Sequence, residues 1–181
     1  MSAPGTENAD LERARKSAAD ALCMDCGLCC DGTFFGSVVV AEDEREKLGR
    51  IGLRVVESDG KLSMPQPCSA LRGCLCSVYD DRPMACRKYE CSMRESLLAG
   101  STSEEDARAS LARMRILLVT IRAAFDRPGA SIWEAILAID EPPSDPTSAE
   151  GRTFDAGVAA FAELLELARK VFEPALGGGG R

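Results

Sequence analysis

Apolar residues repeat at helical spacing through the second half of the chain, whereas short aromatic and β-branched runs mark strands in the first half. Leu111, Met114, Leu118, Ile121 and Phe125 share one face of an expected helix, with Thr102 and Glu105 reading as a capping box in front of it. Arg127-Pro128-Gly129 should end that helix, and Ser131 is placed to cap a shorter one carrying Ile132, Trp133, Ile136 and Leu137. After the exposed Pro142-Pro143-Ser144-Asp145-Pro146 connection, Phe154, Val158, Phe161, Leu165, Ala168 and Phe172 recur as the apolar stripe of a further helix. These aromatics read as core packing. Earlier in the chain, Asp10 to Leu22 is built of helix formers, Thr33 to Val40 reads as a strand, and Glu42 to Arg50 as a short helix stopped by Gly52. Leu53–Val56 and Lys61–Met64 flank Asp59-Gly60 as the two arms of a hairpin, and Pro65-Gln66-Pro67 breaks the run.

The expected class is therefore α+β, mostly α: a small core with short strands, followed by a helical C-terminal region. The expected organisation is an N-terminal tail and helix start over 1–19, a cysteine-rich metal-binding domain over 20–95, a helical region over 96–176 that packs on it or forms a small bundle, and a flexible tail over 177–181. No internal repeat is visible.

Composition narrows the chemistry. The chain has 181 residues, 45% of them hydrophobic and 28% charged, which suits a globular protein and excludes fibrous or low-complexity classes. A formal charge of -7 argues against a phosphate backbone as partner, so nucleic acid is not expected. There is no histidine, which removes the His-based triads, general bases and zinc sites at once. The opening residues to Lys16 lack the apolar core of a secretion signal, and no apolar run is long enough to span a bilayer, so the expected compartment is the cytoplasm and no membrane partner is expected. Any protein partner is expected to dock through the helical region.

Nine cysteines remain, all between Cys23 and Cys91. In a reducing compartment such density points to metal binding or redox chemistry before disulfides. Cys23, Cys26 and Cys29 are separated by two-residue gaps, which let three thiolates converge on one centre while Gly27 allows close backbone approach. The same gaps occur in bacterial ferredoxin runs, whose fourth ligand comes from elsewhere in the chain, and a tetrahedral zinc site accepts them as well. Cys30 does not fit that triplet, since adjacent side chains diverge. It is expected to serve a second centre, bridge two metals or act as a free thiol.

A second group runs from Pro67-Cys68 through Cys74-Leu75-Cys76 to Cys86 and Cys91. Asp80-Asp81-Arg82-Pro83 reads as a turn whose carboxylates accept the first N–H groups of a helix. Cys86 and Tyr89 should share a face of it. Thiolates around a metal accumulate negative charge, which Arg82, Arg87 and Lys88 are placed to offset.

Taken together, Cys-x-x-Cys-Gly-x-Cys-Cys at 23–30, Pro67-Cys68 with Leu71, and Cys76-Ser-Val-Tyr-Asp-Asp-Arg-Pro-Met-Ala-Cys-Arg with Cys91 resemble the YkgJ-type CxxCxxCC cysteine-cluster family of zinc- or iron-chelating domains. The resemblance covers roughly residues 20 to 95. It implies a bacterial cytoplasmic protein with eight metal-binding cysteines: Cys23, Cys26, Cys29, Cys30, Cys68, Cys76, Cys86 and Cys91. Cys74 falls outside that set, and the resemblance implies nothing about the helical half. Tyr79, Asp81, Arg82 and Arg87 are the expected supporting residues around the ligands.

Three functional classes follow. The cysteines hold metal as a chelating or electron-transfer module; or zinc is structural and the helices bind a partner; or the protein is an enzyme, an iron–sulfur one of unknown substrate, in which Cys30 or Cys74 is a reactive thiol or an open iron position binds substrate, with Tyr79, Asp81 and Arg82 as acid–base or anion-binding groups. The cofactor is a [4Fe–4S] cluster or Zn(II), with the two-residue gaps of the triplet favouring iron–sulfur.

Overall fold

The structure is a computed structural model and describes residues 4–89, 91–125, 136–137 and 142–176. The fold is α+β and mostly helical, with the cysteine-rich region in its N-terminal part. It divides into two compact units, one formed by Met1–Glu90 with Arg94–Ser101 and the other by Cys91–Met93 with Thr102–Arg181.

In the first unit, helix α1 spans Pro4–Cys26, four residues further at its C-terminal end than composition suggests. It therefore carries Cys23 and Cys26 on its last turn, one helical step of three apart. Gly27 stops it by taking φ +69, a left-handed value that glycine adopts without the steric cost a side chain would add.

Strand β1 is only Ser37–Val39; Thr33 to Gly36, expected to be part of it, form bends and loop instead. A 3-10 turn at Glu42–Glu44 leads into α2, Arg45–Arg50, and Gly52 at φ +80 ends that helix as expected. Strands β2, Val56–Ser58, and β3, Lys61–Pro65, form the expected hairpin around Asp59-Gly60. Both turn residues have positive φ, 52 and 70, as a two-residue turn of type I′ requires. The first arm starts later than expected because Leu53 is drawn into the core from the preceding loop. β1 adds to the other side of β3, giving the antiparallel order β1-β3-β2 with Val38 opposite Met64 and Glu57 opposite Leu62.

One face of this sheet packs with α2 to bury Val40, Leu48, Leu53, Leu62, Met64 and Ala70. Cys68, Cys76 and Cys86 pack against that cluster, so three of the thiols rest on apolar surface. A second small hairpin, β4 at Leu71–Arg72 and β5 at Leu75–Cys76, was not anticipated. Its strands are two residues long, too short for any periodicity to register. A 3-10 turn at Tyr79–Asp81 precedes α3, Met84–Lys88, and α4 follows at Ser92–Ala99.

The second unit is dominated by two helices, α5 at Glu104–Phe125 and α6 at Ala149–Leu176, packed along each other. The N-cap of α5 is Ser103 and not Thr102: its hydroxyl accepts the Asp106 N–H at 3.0 Å and donates to the Asp106 carboxylate at 2.6 Å, which is a box shifted by one residue. Ser148 does the same for α6, accepting the Gly151 N–H at 2.9 Å. Leu111, Met114, Leu118, Ile121 and Phe125 are all buried, as their spacing predicts.

For α6 the expected stripe is displaced. Gly157, Ala160, Leu164 and Ala168 face inward, while Val158 and Leu165 are exposed. The reason is the close approach of α5: a Cβ at Gly157 would sit 2.3 Å from the Ala124 Cβ and 2.7 Å from the Phe125 ring. Only small residues let the helices come that near, so glycine and alanine, which carry little weight in a hydrophobic pattern, define the contact. Phe125 meets Phe154 edge-on at 5.6 Å, and Arg113 forms a two-point ion pair with Glu163 at 2.5 and 2.6 Å across the exposed edge. Solvent screens an exposed pair of this kind, so it adds little to the stability of the helix pair. Of the short helix expected around Trp133, Ile136 and Leu137 are helical, and the rest lies outside the described residues, as do the expected stop at Arg127-Pro128-Gly129 and the tail at 177–181.

Replacing Gly157 by leucine is expected to destabilise the α5–α6 pair by about 1–3 kcal/mol, the usual penalty of overpacking, despite the better helix propensity of leucine. Urea unfolding followed by circular dichroism checks this.

Candidate metal centre

The first cysteine motif is fastened to the second by backbone contacts. The Cys68 N–H donates to the Cys30 carbonyl at 2.7 Å, directly joining the two groups. Gly32 lies against the Gln66–Pro67 peptide, which is cis, with an ideal Cβ position 3.6 Å from the Pro67 nitrogen. Gly27 lies against the β4–β5 turn, where a Cβ would come within 3.1 Å of the Cys74 Cα. Helix α1 rests on β5, and α3 rests on β1. The result is that cysteines from α1, the following turn, the residue after Pro67, β5 and α3 are gathered in one region.

Electrostatics show which thiols are near one another. Burial pushes the Cys30 thiol up to about 12, and ionised Cys68, Cys86, Cys76 and Cys23 would each push it further in the same direction. Cys86 rises to about 11, first through burial, then through Cys68 and Cys76, with Glu44 adding to the effect. Cys23 is also raised, mainly by burial, with Asp20 and Cys76 adding to it and Arg82 and Arg94 opposing. Five cysteines, at positions 23, 30, 68, 76 and 86, therefore share one electrostatic neighbourhood. Cys30, which spacing leaves outside the triplet, lies within electrostatic reach of the other four. Cys26 and Cys29 lie between Cys23 and Cys30 along the chain, Cys23 is exposed as Cys74 is, and Cys91 belongs to the second unit.

The supporting residues take distinct places. Arg82 lies over the Tyr79 ring, its guanidinium carbon 3.5 Å from the centroid, and donates to the Tyr79 carbonyl at 2.7 Å. Held there, its charge stabilises ionised Cys23 and Cys86. Arg87 donates to the Arg82 carbonyl at 2.6 Å and so braces the same turn. Asp81 points elsewhere, pairing with Lys47 at 3.6 Å on the surface.

Three further placements were not expected. Arg94, on α4, pairs with Asp20 at 2.9 Å and contributes positive charge toward Cys23. Glu44, from 40 positions earlier, accepts the Met84 N–H at 2.8 Å at the start of α3, the role expected of Asp80 or Asp81. Tyr89 follows α3 rather than sharing its face with Cys86, and packs edge-on against Phe35 at 5.3 Å. None of these long-range pairings has a local sequence signal.

The donor chemistry fits a soft or borderline cation: thiols alone, partly desolvated, against each other. The last turn of α1 holds no basic residue, so the negative end of the helix dipole adds to the need for a cation beside Cys23 and Cys26. Among the described residues no three cysteine or carboxylate groups stand close enough to grip an ion as they are.

Residues 22–110 match the model of the family described as "CxxCxxCC: Putative zinc- or iron-chelating domain". The match covers 89 of the chain's 181 residues and takes in all nine cysteines. By its description, this segment is similar to zinc- or iron-chelating cysteine-cluster domains. No curated protein and no solved structure matches it. Among the described residues no helix is long and apolar enough to cross a membrane.

Two outcomes follow. In the metal-free, reduced protein, Cys30 and Cys86 stay protonated in the folded state while an unfolded thiol ionises near 9.0. Their neutral form is the one the fold favours, so stability is retained below about pH 9 and falls as pH rises through 11 to 12. Urea midpoints between pH 8 and 11 should decline, and Cys30→Ala with Cys86→Ala should flatten the decline. Separately, Gly27→Ala should cost at least about 1 kcal/mol, because alanine is strained at φ +69 and has no room beside Cys74. Urea unfolding of the same metal-free protein measures that cost.

Proposed function

We propose that this CxxCxxCC domain holds an iron–sulfur cluster and serves as a redox or electron-transfer module in the reducing cytoplasm. The observation that carries the reading is the gathering of cysteines 23, 30, 68, 76 and 86, supplied by separate segments, into one partly buried neighbourhood with Arg82 beside it. Thiols so placed repel one another once ionised, and a multiply charged iron–sulfur core is the kind of group that offsets them together. The ferredoxin-like gaps of Cys23, Cys26 and Cys29 support the same reading, with Cys86 as the distal ligand.

The remaining family cysteines of the first unit, Cys26 and Cys29, would complete or surround the centre. Arg82, Arg94 and the Tyr79 ring supply positive charge and apolar cover, two levers by which a protein sets a cluster's potential. A bound cluster would add the capacity to accept and release one electron. What the chain itself does is hold the thiols, exclude part of the solvent and offset their charge.

Protein purified anaerobically from iron-replete cells should be coloured and contain iron with acid-labile sulfide. Cys23→Ser and Cys86→Ser should lose most of the iron and the visible absorption, whereas Cys74→Ser should keep both. A colourless preparation with tightly bound zinc and no sulfide would replace this reading with a structural zinc site.

A further inference from the structure

Cys74 lies outside the eight cysteines expected as ligands, yet the fold seats it directly against their first motif. Arg72 pairs with Leu75 across β4 and β5, so Gly73 and Cys74 form a two-residue turn. Gly73 has φ +61, the value that the first central position of a type II′ turn takes. Cys74 is exposed at this turn, and its backbone is pressed onto Gly27. A Cβ at Gly27 would lie 3.1 Å from the Cys74 Cα, 3.3 Å from its Cβ and 3.4 Å from its carbonyl oxygen. From the other side, the Gly27 carbonyl accepts the Cys30 and Asp31 N–H groups at 2.8 and 3.0 Å, which fixes it in place.

Gly27 directly follows Cys26, the last residue of α1. One trans peptide spans about 3.8 Å between Cα atoms, and disulfides bridge Cα separations of about 4.4 to 6.8 Å. Contact with Gly27 therefore leaves Cys74 one peptide step from Cys26, and the exposed turn, with glycine at 73, is the segment that can shift to close the remainder. Cys23 is a helical turn further back, and Cys29 is two residues further on.

We propose that Cys74 is a redox thiol that forms a disulfide with Cys26 when a hydroperoxide is present, and so withdraws Cys26 from metal binding. The Cys74 thiolate attacks the O–O bond of hydrogen peroxide, becomes a sulfenic acid and releases hydroxide. The Cys26 thiolate then attacks the sulfenic sulfur, which forms the S–S bond and expels a second hydroxide. The two thiols give up two electrons and two protons in all, and one peroxide becomes two waters. Exposure admits the oxidant to Cys74, and a small thiol reductant restores both side chains. Neither step uses iron or sulfide, so the proposal stands apart from the iron–sulfur reading.

The test uses the full-length protein loaded with zinc, an ion without redox chemistry, so that any metal lost reports on the thiols. After hydrogen peroxide treatment, tryptic peptides fragmented in a mass spectrometer should show Cys74 joined to Cys26, and dithiothreitol should remove the link. Zinc captured by a coloured chelator should appear several-fold faster from the parent protein than from Cys74→Ser, whose fold circular dichroism verifies. Cys74 linked to a different cysteine, Cys74 over-oxidised without a link, or equal zinc release from parent and variant would overturn the proposal. The iron–sulfur reading fails on a separate observation, the absence of iron and sulfide from natively purified protein.

Discussion

Thiolates that are brought close together in a partly dehydrated place repel one another, and the first unit is arranged around that constraint. Its sheet and α2 bury six apolar residues, and Cys68, Cys76 and Cys86 pack on the surface so formed. Burial then raises the Cys30 thiol to about 12 and the Cys86 thiol to about 11. The constraint explains the neighbouring cations. Arg82 is fixed over Tyr79 and braced by Arg87, and Arg94 is oriented by Asp20, so positive charge stands where the thiols would ionise. Two arginines offset only part of the charge of five thiolates, and a metal centre is the natural complement.

Three glycines make this arrangement sterically possible. Gly27 both terminates α1 and admits the Cys74 turn, Gly32 admits Pro67, and Gly52 ends α2 so that Leu53 can enter the core. In the second unit Gly157 plays the corresponding part between two helices. Close backbone approach there replaces the large interlocking side chains that a hydrophobic pattern detects. The two units thus rest on different physics, one on thiol chemistry over a small core and the other on tight helix pairing.

Local signals were the legible ones. Gly52 as a stop, Asp59-Gly60 as a hairpin turn and the buried face of α5 all follow from interactions within a few residues. The misreadings have equally definite causes. Helix α1 runs on through Cys23 and Cys26 because helical hydrogen bonding continues until Gly27 removes the steric penalty for turning. The capping box of α5 starts at Ser103, since a hydroxyl at either 102 or 103 satisfies the pattern and only the chain direction chooses. Leu165 gives way to Leu164 as the buried leucine of α6 because Gly157 and Ala160, and not the aromatics, set which face meets α5.

For the site, the sequence by itself determined the chemistry: no histidine, nine cysteines in one stretch, and motif spacing similar to that of a chelating family. Those are properties of residue type and short-range separation, which a linear chain displays in full. The tertiary structure alone decided which thiols share a neighbourhood, that Cys30 stands among Cys68, Cys76, Cys86 and Cys23, and that Glu44, Asp20 and Arg94 serve the site. Those pairings join residues 40 to 74 positions apart, and their energies depend on burial and distance, quantities that exist only once the sheet, α1 and the cis Gln66–Pro67 turn have brought the segments together.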